Sequence, residues 1–173
     1  LPASSAASDV YKRQGLAAGQ VIPCREWREL YAALDCGAVA AIHPFYTAAV
    51  REFEDAGKPI IGSAPVGVEG TNSWIDSVGD TFNIAKKIIG EAKQKILPQI
   101  QKSLDDKKIN NKITVSGYEG SELIVARTLI EAGAEVPYVG TACPKTKWST
   151  EDKDWLESKG VFVKFRASLE DDI

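Results

Sequence analysis

Methionine is missing from this sequence altogether, and histidine occurs once, at His43. A lone histidine argues against a hydrolytic triad or a histidine-rich metal site in these residues. The three cysteines, Cys24, Cys36 and Cys143, make neither a CxxC pair nor an even framework. Reduced thiols of a cytoplasmic protein are therefore expected. No apolar run approaches the roughly 20 residues that span a bilayer. No lysine or arginine run forms a nucleic-acid footprint, and the formal net charge of −3 is mild. Solenoid repeats and low-complexity tracts are absent too. What is present is the composition of an ordinary globular protein, 44% hydrophobic and 26% charged, long enough for one domain or for the end of one and the start of another.

The two ends stand apart from the bulk. The stretch "SSAASDVYKRQ" reads as one frame of a sequencing-library adapter, so residues 1–14 are expected to be non-native and the natural chain to begin near Gly15. At the other end, "RASLEDDI" offers Ser168 as a helix cap with acids in the first turn. The helix is cut short, and an interior slice of a longer protein is expected.

Between the ends, helix and strand alternate. "PCREWRELYAALDCG" spaces Trp27, Leu30, Tyr31 and Leu34 at helical intervals, with Gly37 as a stop. "AVAAIHP" reads as a buried strand. "FYTAAVREFEDAG" returns to the helical period through Phe45, Ala49 and Phe53, and "KPIIGSAPVG" reads as a second buried strand. Strand, helix and strand with short joints imply a right-handed parallel crossover. Thr71 or Asn72 is then expected to cap a short helix holding Trp74, Ile75 and Val78. A long amphipathic stretch follows through Ile84, Ile88, Ile96 and Ile100, with a kink or break at Pro98. Beyond it, "KITVSG", "EVPYVG" and "VFVKFR" read as strands. "SELIVARTLIEAGA" and "KWSTEDKDWLESKG" read as helices, the latter capped by Ser149 or Thr150. The expected fold class is α/β, two Rossmann-like units with parallel sheets joined by a long helix. The expected bounds are 15–82 for a partial first unit, 83–111 for the connector and 112–173 for a truncated second unit.

The turn Gly117-Tyr118-Glu119-Gly120, between a strand and a helix, poses the functional question. A dinucleotide site needs G-x-G-x-x-G so that backbone amides can approach a pyrophosphate. One G-x-x-G is far less than that, and Glu119 would put negative charge where the phosphate belongs. A ribose-binding acid is expected about 20 residues on, yet the chain has Gly140, Thr141 and Ala142 there. A Walker lysine is missing as well. The turn is not built for a nucleotide phosphate. In parallel open sheets ligands lie beyond the carboxyl ends of the strands, which draws attention to His43, Pro65, Tyr118, Glu119, Thr141 and Cys143. His43 reads equally as a packing residue or a proton donor, and Cys143 as a structural thiol. The pairs Asp105–Asp106 and Asp171–Asp172 read as solvated.

Residues alone lead to a pair of α/β units with a crevice. Longer stretches go further. "SAPVGVEGTNSWIDSVG" resembles the Pro-x-Gly-x-x-x-Thr segment of nitrogenase component 1-like subunits, and "ITVSGYEGSELIVARTLIEAGAEV" resembles the opening of a later domain in that superfamily. "REWRELYAALDCGAVAAIHPFYTAAVREFE" and "VPYVGTACPKTKWSTEDKDWLESKGV" resemble the Y subunits of chlorophyllide a reductases within it. The resemblance spans residues 15–173.

It implies the catalytic component of an oxidoreductase of bacteriochlorophyll biosynthesis. There, Y and Z subunits hold a 4Fe-4S cluster, and a separate ATP-hydrolysing iron–sulfur reductase subunit delivers electrons. Chlorophyllide a is reduced at the ring-B double bond. The resemblance implies cluster ligands upstream of Gly15, so no metal ligand is assigned here. A flat macrocycle wants apolar and aromatic walls with few polar groups, and His43, Tyr118, Glu119 and Thr141 are the candidate substrate-binding residues. Another nitrogenase-like subunit, a protochlorophyllide reductase or a cofactor-assembly scaffold, remains open, as do a two-domain glycosyltransferase and a small-ligand receptor.

Overall fold

The computed structural model describes residues 16–43 and 46–166. The adapter-like segment, Phe45, the Ser168 cap and Asp171–Asp172 lie outside them. Two parallel sheets organise the rest. Helix α1 (Trp27–Ala33) leads into β1 (Val39–Ala41), then α2 (Thr47–Asp55) and β2 (Ile60–Gly62). The strands pair in parallel, with Val39 opposite Ile60 and Ala41 opposite Gly62. Next come α3 (Gly67–Thr81) and α4 (Lys86–Asp105). The second sheet has the order β3-β4-β5, from β3 (Val115–Gly117), β4 (Tyr138–Thr141) and β5 (Phe162–Phe165), with α5 (Glu122–Glu131) and α6 (Thr150–Ser158) as crossovers. Both ladders in this sheet are parallel. The α/β class with parallel sheets is the expected one.

Apolar periodicity explains which faces meet. In the second sheet Leu123 and Ala126 from α5 and Leu156 from α6 close on Val136, Val139 and Val161. Leu156 is fully buried, so truncating it to alanine costs about 2–5 kcal/mol. Val50, Phe53, Ile61, Ile75 and Val78 form the buried part of the first unit. Helix α1 is different: it forms where the spacing predicts, yet Trp27 is 78% and Tyr31 70% exposed. Helical period located that helix without saying what would cover it.

Of the kink or break expected at Pro98 the break does not occur, and the cap expected at Thr71 or Asn72 is corrected. Helix α4 runs unbroken for 20 residues through Pro98. Proline removes one hydrogen bond, to the carbonyl four residues back, and the remaining turns of a long helix hold without it. The helix after β2 is also longer than expected. It starts at Gly67 and spans 15 residues, so Thr71 lies buried inside it rather than capping it. Its true cap is tertiary, since the Val68 N–H donates to Glu131, 63 residues away. Gly67 sits at φ 63, and a Cβ there would collide with the Glu131 carboxyl group.

Candidate functional site

The carboxyl ends of β1 and β2 open onto a cleft of about 310 Å³, open mouth included. His43 and Thr47 line it from the first unit with Ser63 and Ala64, and Ile124, Trp148, Ser149 and Asp152 from the second. Its far wall is the start of α6. There Thr146 and Ser149 form a reciprocal box, each backbone N–H donating to the other's hydroxyl, at 3.1 and 3.2 Å. Ser149 holds the expected N-cap position, but its side chain turns back to Thr146 and makes no cap bond to α6. This fixes the helix start so that Asp152, in its first turn, faces inward.

Asp152 is 3% exposed and Arg127 1%. The Arg127 Nη1–H donates to Asp152 Oδ1 at 2.5 Å, and the Ser63 hydroxyl donates to the same oxygen at 2.8 Å. Arg127 also lies over the Trp155 ring, 4.7 Å from its centroid. Gly70 of α3 leaves room for it, because a Cβ there would come within 3.1 Å of Arg127 Nη2. On the rim the Trp155 indole N–H donates to Glu69 at 2.5 Å. That bond, helped by Lys159, holds the Glu69 carboxyl below the usual range. Buried charges persist only when paired, so the cleft floor is a neutralised and rigid one. Sequence reading missed this group. Asp152 resembled an ordinary first-turn acid, and the one available signal was Arg127 lying at helical spacing beside buried Leu123 and Ala126 of α5.

The G-Y-E-G turn is filled from within. Glu122 Oε1 accepts the Glu119 N–H at 2.8 Å and the Gly120 N–H at 3.2 Å. Its Oε2 accepts the Thr141 hydroxyl at 2.7 Å. The anion at the turn is thus the buried Glu122. Glu119 supplies only backbone, and its side chain is exposed.

The four candidate residues do not converge. His43 lines the cleft. Tyr118, 63% exposed, and Glu119 sit at the tip of β3, and Thr141 at the end of β4 is 1% exposed with its hydroxyl committed to Glu122. Pro65 is half-buried beyond β2. Cys143 is buried, and burial together with the nearby Glu122 charge pushes its thiol above the ordinary value. An iron–sulfur cluster needs thiolates. Among the described residues no group of three or more His, Cys, Asp or Glu side chains could hold a metal, so these residues do not fit such a cluster. No helix among them is long and apolar enough to cross a membrane.

Comparison with known proteins places this geometry in context. Residues 6–173 match the family model described as nitrogenase component 1 type oxidoreductase. The chain is 62% identical over 159 residues to the chlorophyllide reductase 52.5 kDa chain of Cereibacter sphaeroides, covering 92% of this chain and 32% of that protein. It is 26% identical to the light-independent protochlorophyllide reductase subunit N of Prochlorococcus marinus (strain MIT 9211), over 89% of this chain and 38% of that one. The solved structure "Nitrogenase Cp1 at pH 6.5" superposes with a TM-score of 0.54 at 17% identity, covering 88% of this chain and 36% of that one. The chain therefore spans about a third of the length of the curated relatives it matches.

Proposed function

The chain belongs to the nitrogenase component 1 type oxidoreductase family, and on that premise we propose that it is part of the catalytic component of a chlorophyllide reductase. The single observation that carries this reading is the gap in identity, 62% to the chlorophyllide reductase chain against 26% to the protochlorophyllide reductase subunit. The reaction is reduction of the ring-B double bond of chlorophyllide a, in the cytoplasm. Electrons come from a 4Fe-4S cluster shared with a Z-type subunit and fed by an ATP-hydrolysing iron–sulfur reductase. We place the cluster ligands on parts of the parent protein outside this chain, as the family resemblance implies.

In the parent enzyme the residues of this chain build one wall. Apart from its open mouth the cleft has room for little more than a water molecule, far less than a ligand-sized site, so a tetrapyrrole needs walls from elsewhere. His43 contributes a polar group at the cleft and Tyr118 an aromatic face at the β3 tip, while Glu119 borders the same tip. Thr141 acts one step back, holding Glu122 and through it the tip.

The test restores the full parent reading frame and purifies it with its Z-type partner and reductase. ATP-dependent loss of chlorophyllide a, with the absorbance change of a reduced ring B, is expected. Turnover of protochlorophyllide instead would transfer the chain to the rival branch of the family. The isolated chain should be colourless and inactive.

A further inference from the structure

Helix α1 carries Trp27, Leu30, Tyr31 and Leu34 at intervals of three and four, and all four are exposed. Side chains so spaced share one stripe of a helix. Single exposed apolar residues are ordinary, whereas a contiguous stripe with two aromatic rings marks a surface made to be covered. Ala33 is the one buried residue of α1, and 7 residues are too few to hold a helix by themselves. The strand that follows is bare in the same way. The first sheet has two strands, and the Val39 N–H donates to the Pro59 carbonyl on the β2 side at 2.9 Å. Alternation along the strand then turns the Ala40 N–H and C=O to the opposite edge, where no strand lies among the described residues. Ala40, and Ile42 just past β1, are exposed as well, although parallel sheets are normally covered on both faces.

We infer that the α1 stripe and the outer edge of β1 form an interface inside the parent polypeptide. A strand of that polypeptide lying outside residues 1–173 pairs with β1, and apolar side chains of the same segment close over Trp27 and Tyr31. The chlorophyllide reductase chain is covered over 32% of its length, so about two thirds of such a polypeptide is left to supply the occupant. A strand joins a parallel sheet through a crossover connection within one chain. Two strands make a marginal sheet without further strands or a covering layer, so a subunit that relied on a second molecule here would carry an unfinished core until it assembled. On the β2 side the sheet is already packed, since a Cβ on Gly62 would lie 3.4 Å from the Trp148 carbonyl oxygen. That leaves β1 as the side open to growth. The interface rests on family membership and chain length, and it holds whichever substrate the parent enzyme reduces.

The test takes the parent subunit purified without its Z-type partner and compares it with the same protein unfolded in urea. Hydroxyl-radical footprinting reads the rings and amide hydrogen exchange reads the strand edge. In the folded subunit Trp27 and Tyr31 should react, and the Ala40 amide should exchange, at least about tenfold more slowly than in urea. In the 173-residue chain alone all three should stay near the unfolded rates. Protection that appears only when the Z-type subunit is added, or only as protein concentration rises, assigns the surface to another molecule and overturns the inference. Unfolded rates in the folded parent subunit overturn it too. A subunit that protects these groups yet does not reduce chlorophyllide a would sink the functional reading and leave this one standing. The pair Trp27→Asp and Tyr31→Asp gives an independent measurement. It should lower the melting midpoint of the parent subunit by at least about 4 °C, or prevent its folding, and move that of the 173-residue chain by no more than about 1–2 °C. Equal shifts in the two proteins would show that nothing in the parent covers the stripe.

Discussion

The Ser63 hydroxyl donates to Asp152 at 2.8 Å across 89 residues of sequence, and it does so from a backbone at φ 62. The left-handed conformation costs a non-glycine residue roughly 1–2 kcal/mol, so the contact is maintained against strain. It joins the end of β2 to the floor of the cleft. Asp152→Asn should be severe, because it leaves Arg127 buried without a counter-charge, and a loss of about 3–5 kcal/mol is expected. Urea unfolding measures it, and a loss below about 1 kcal/mol would mean that the pair is not buried as described.

Substitutions at Ser63 itself separate strain from hydrogen bonding. Ser63→Ala removes the bond and keeps the strained backbone, whereas Ser63→Gly removes the bond and relieves it. Relief of about 1–2 kcal/mol exceeds the roughly 0.5–1 kcal/mol entropic cost of glycine. Glycine should therefore be the milder replacement in the same unfolding assay. The reverse order would show that the positive φ costs nothing here.

Two glycines at positive φ make a matched pair. Gly67 (φ 63) has the Glu131 carboxyl group where its Cβ would go, and Gly57 (φ 75) has nothing within 4 Å. Both alanine variants incur backbone strain of about 1 kcal/mol or more. Gly67→Ala must in addition push Glu131 off the head of α3, so its loss should be about 1–2 kcal/mol larger. Equal losses would mean that Glu131 moves aside freely.

Cys143 should behave as an inert thiol. It is buried and its pKa lies above the ordinary 9.0, so almost no thiolate exists at neutral pH. Cys24 and Cys36 are only partly buried. A thiol reagent added to the native chain should label those two first and reach Cys143 only on unfolding. Fast labelling of Cys143 in the native state would reopen it as a reactive or ligating residue.

The sequence made much of the fold legible because periodicity and turn residues are local. Gly57, Gly133 and Gly160, which end the apolar periods of three helices, take positive φ at those helix ends, and the strands fall in the stretches read as strands, β4 running one residue past its own. The site was far less legible because its parts are tertiary. Glu131 caps a helix 63 residues earlier in the chain, and a local search for serine or threonine caps could only propose Thr71 or Asn72. At the G-Y-E-G turn the sequence drew attention to the charge of Glu119, whereas the carboxylate that meets the turn amides is Glu122. Carboxylates three residues apart differ by about a turn of helix, and only coordinates distinguish the one aimed inward. Arg127 and Asp152 carry no motif at all.

Glu131 gives the chain a pH dependence whose sign can be worked out. Burial is the largest influence on its carboxyl and raises the pKa above 4.5, outweighing the α3 amides that lower it. A group with a raised folded-state pKa binds its proton more tightly when folded. Its contribution to stability is complete below the unfolded value and is lost as pH rises through the folded one. Glu131→Gln keeps an acceptor for Val68 without the charge. The two proteins should therefore unfold at similar temperatures near about pH 4 and diverge toward about pH 7, with the glutamine variant the more stable. Thermal unfolding across that range decides it. If the native chain instead gains on the variant as pH rises, the α3 amides outweigh burial at Glu131.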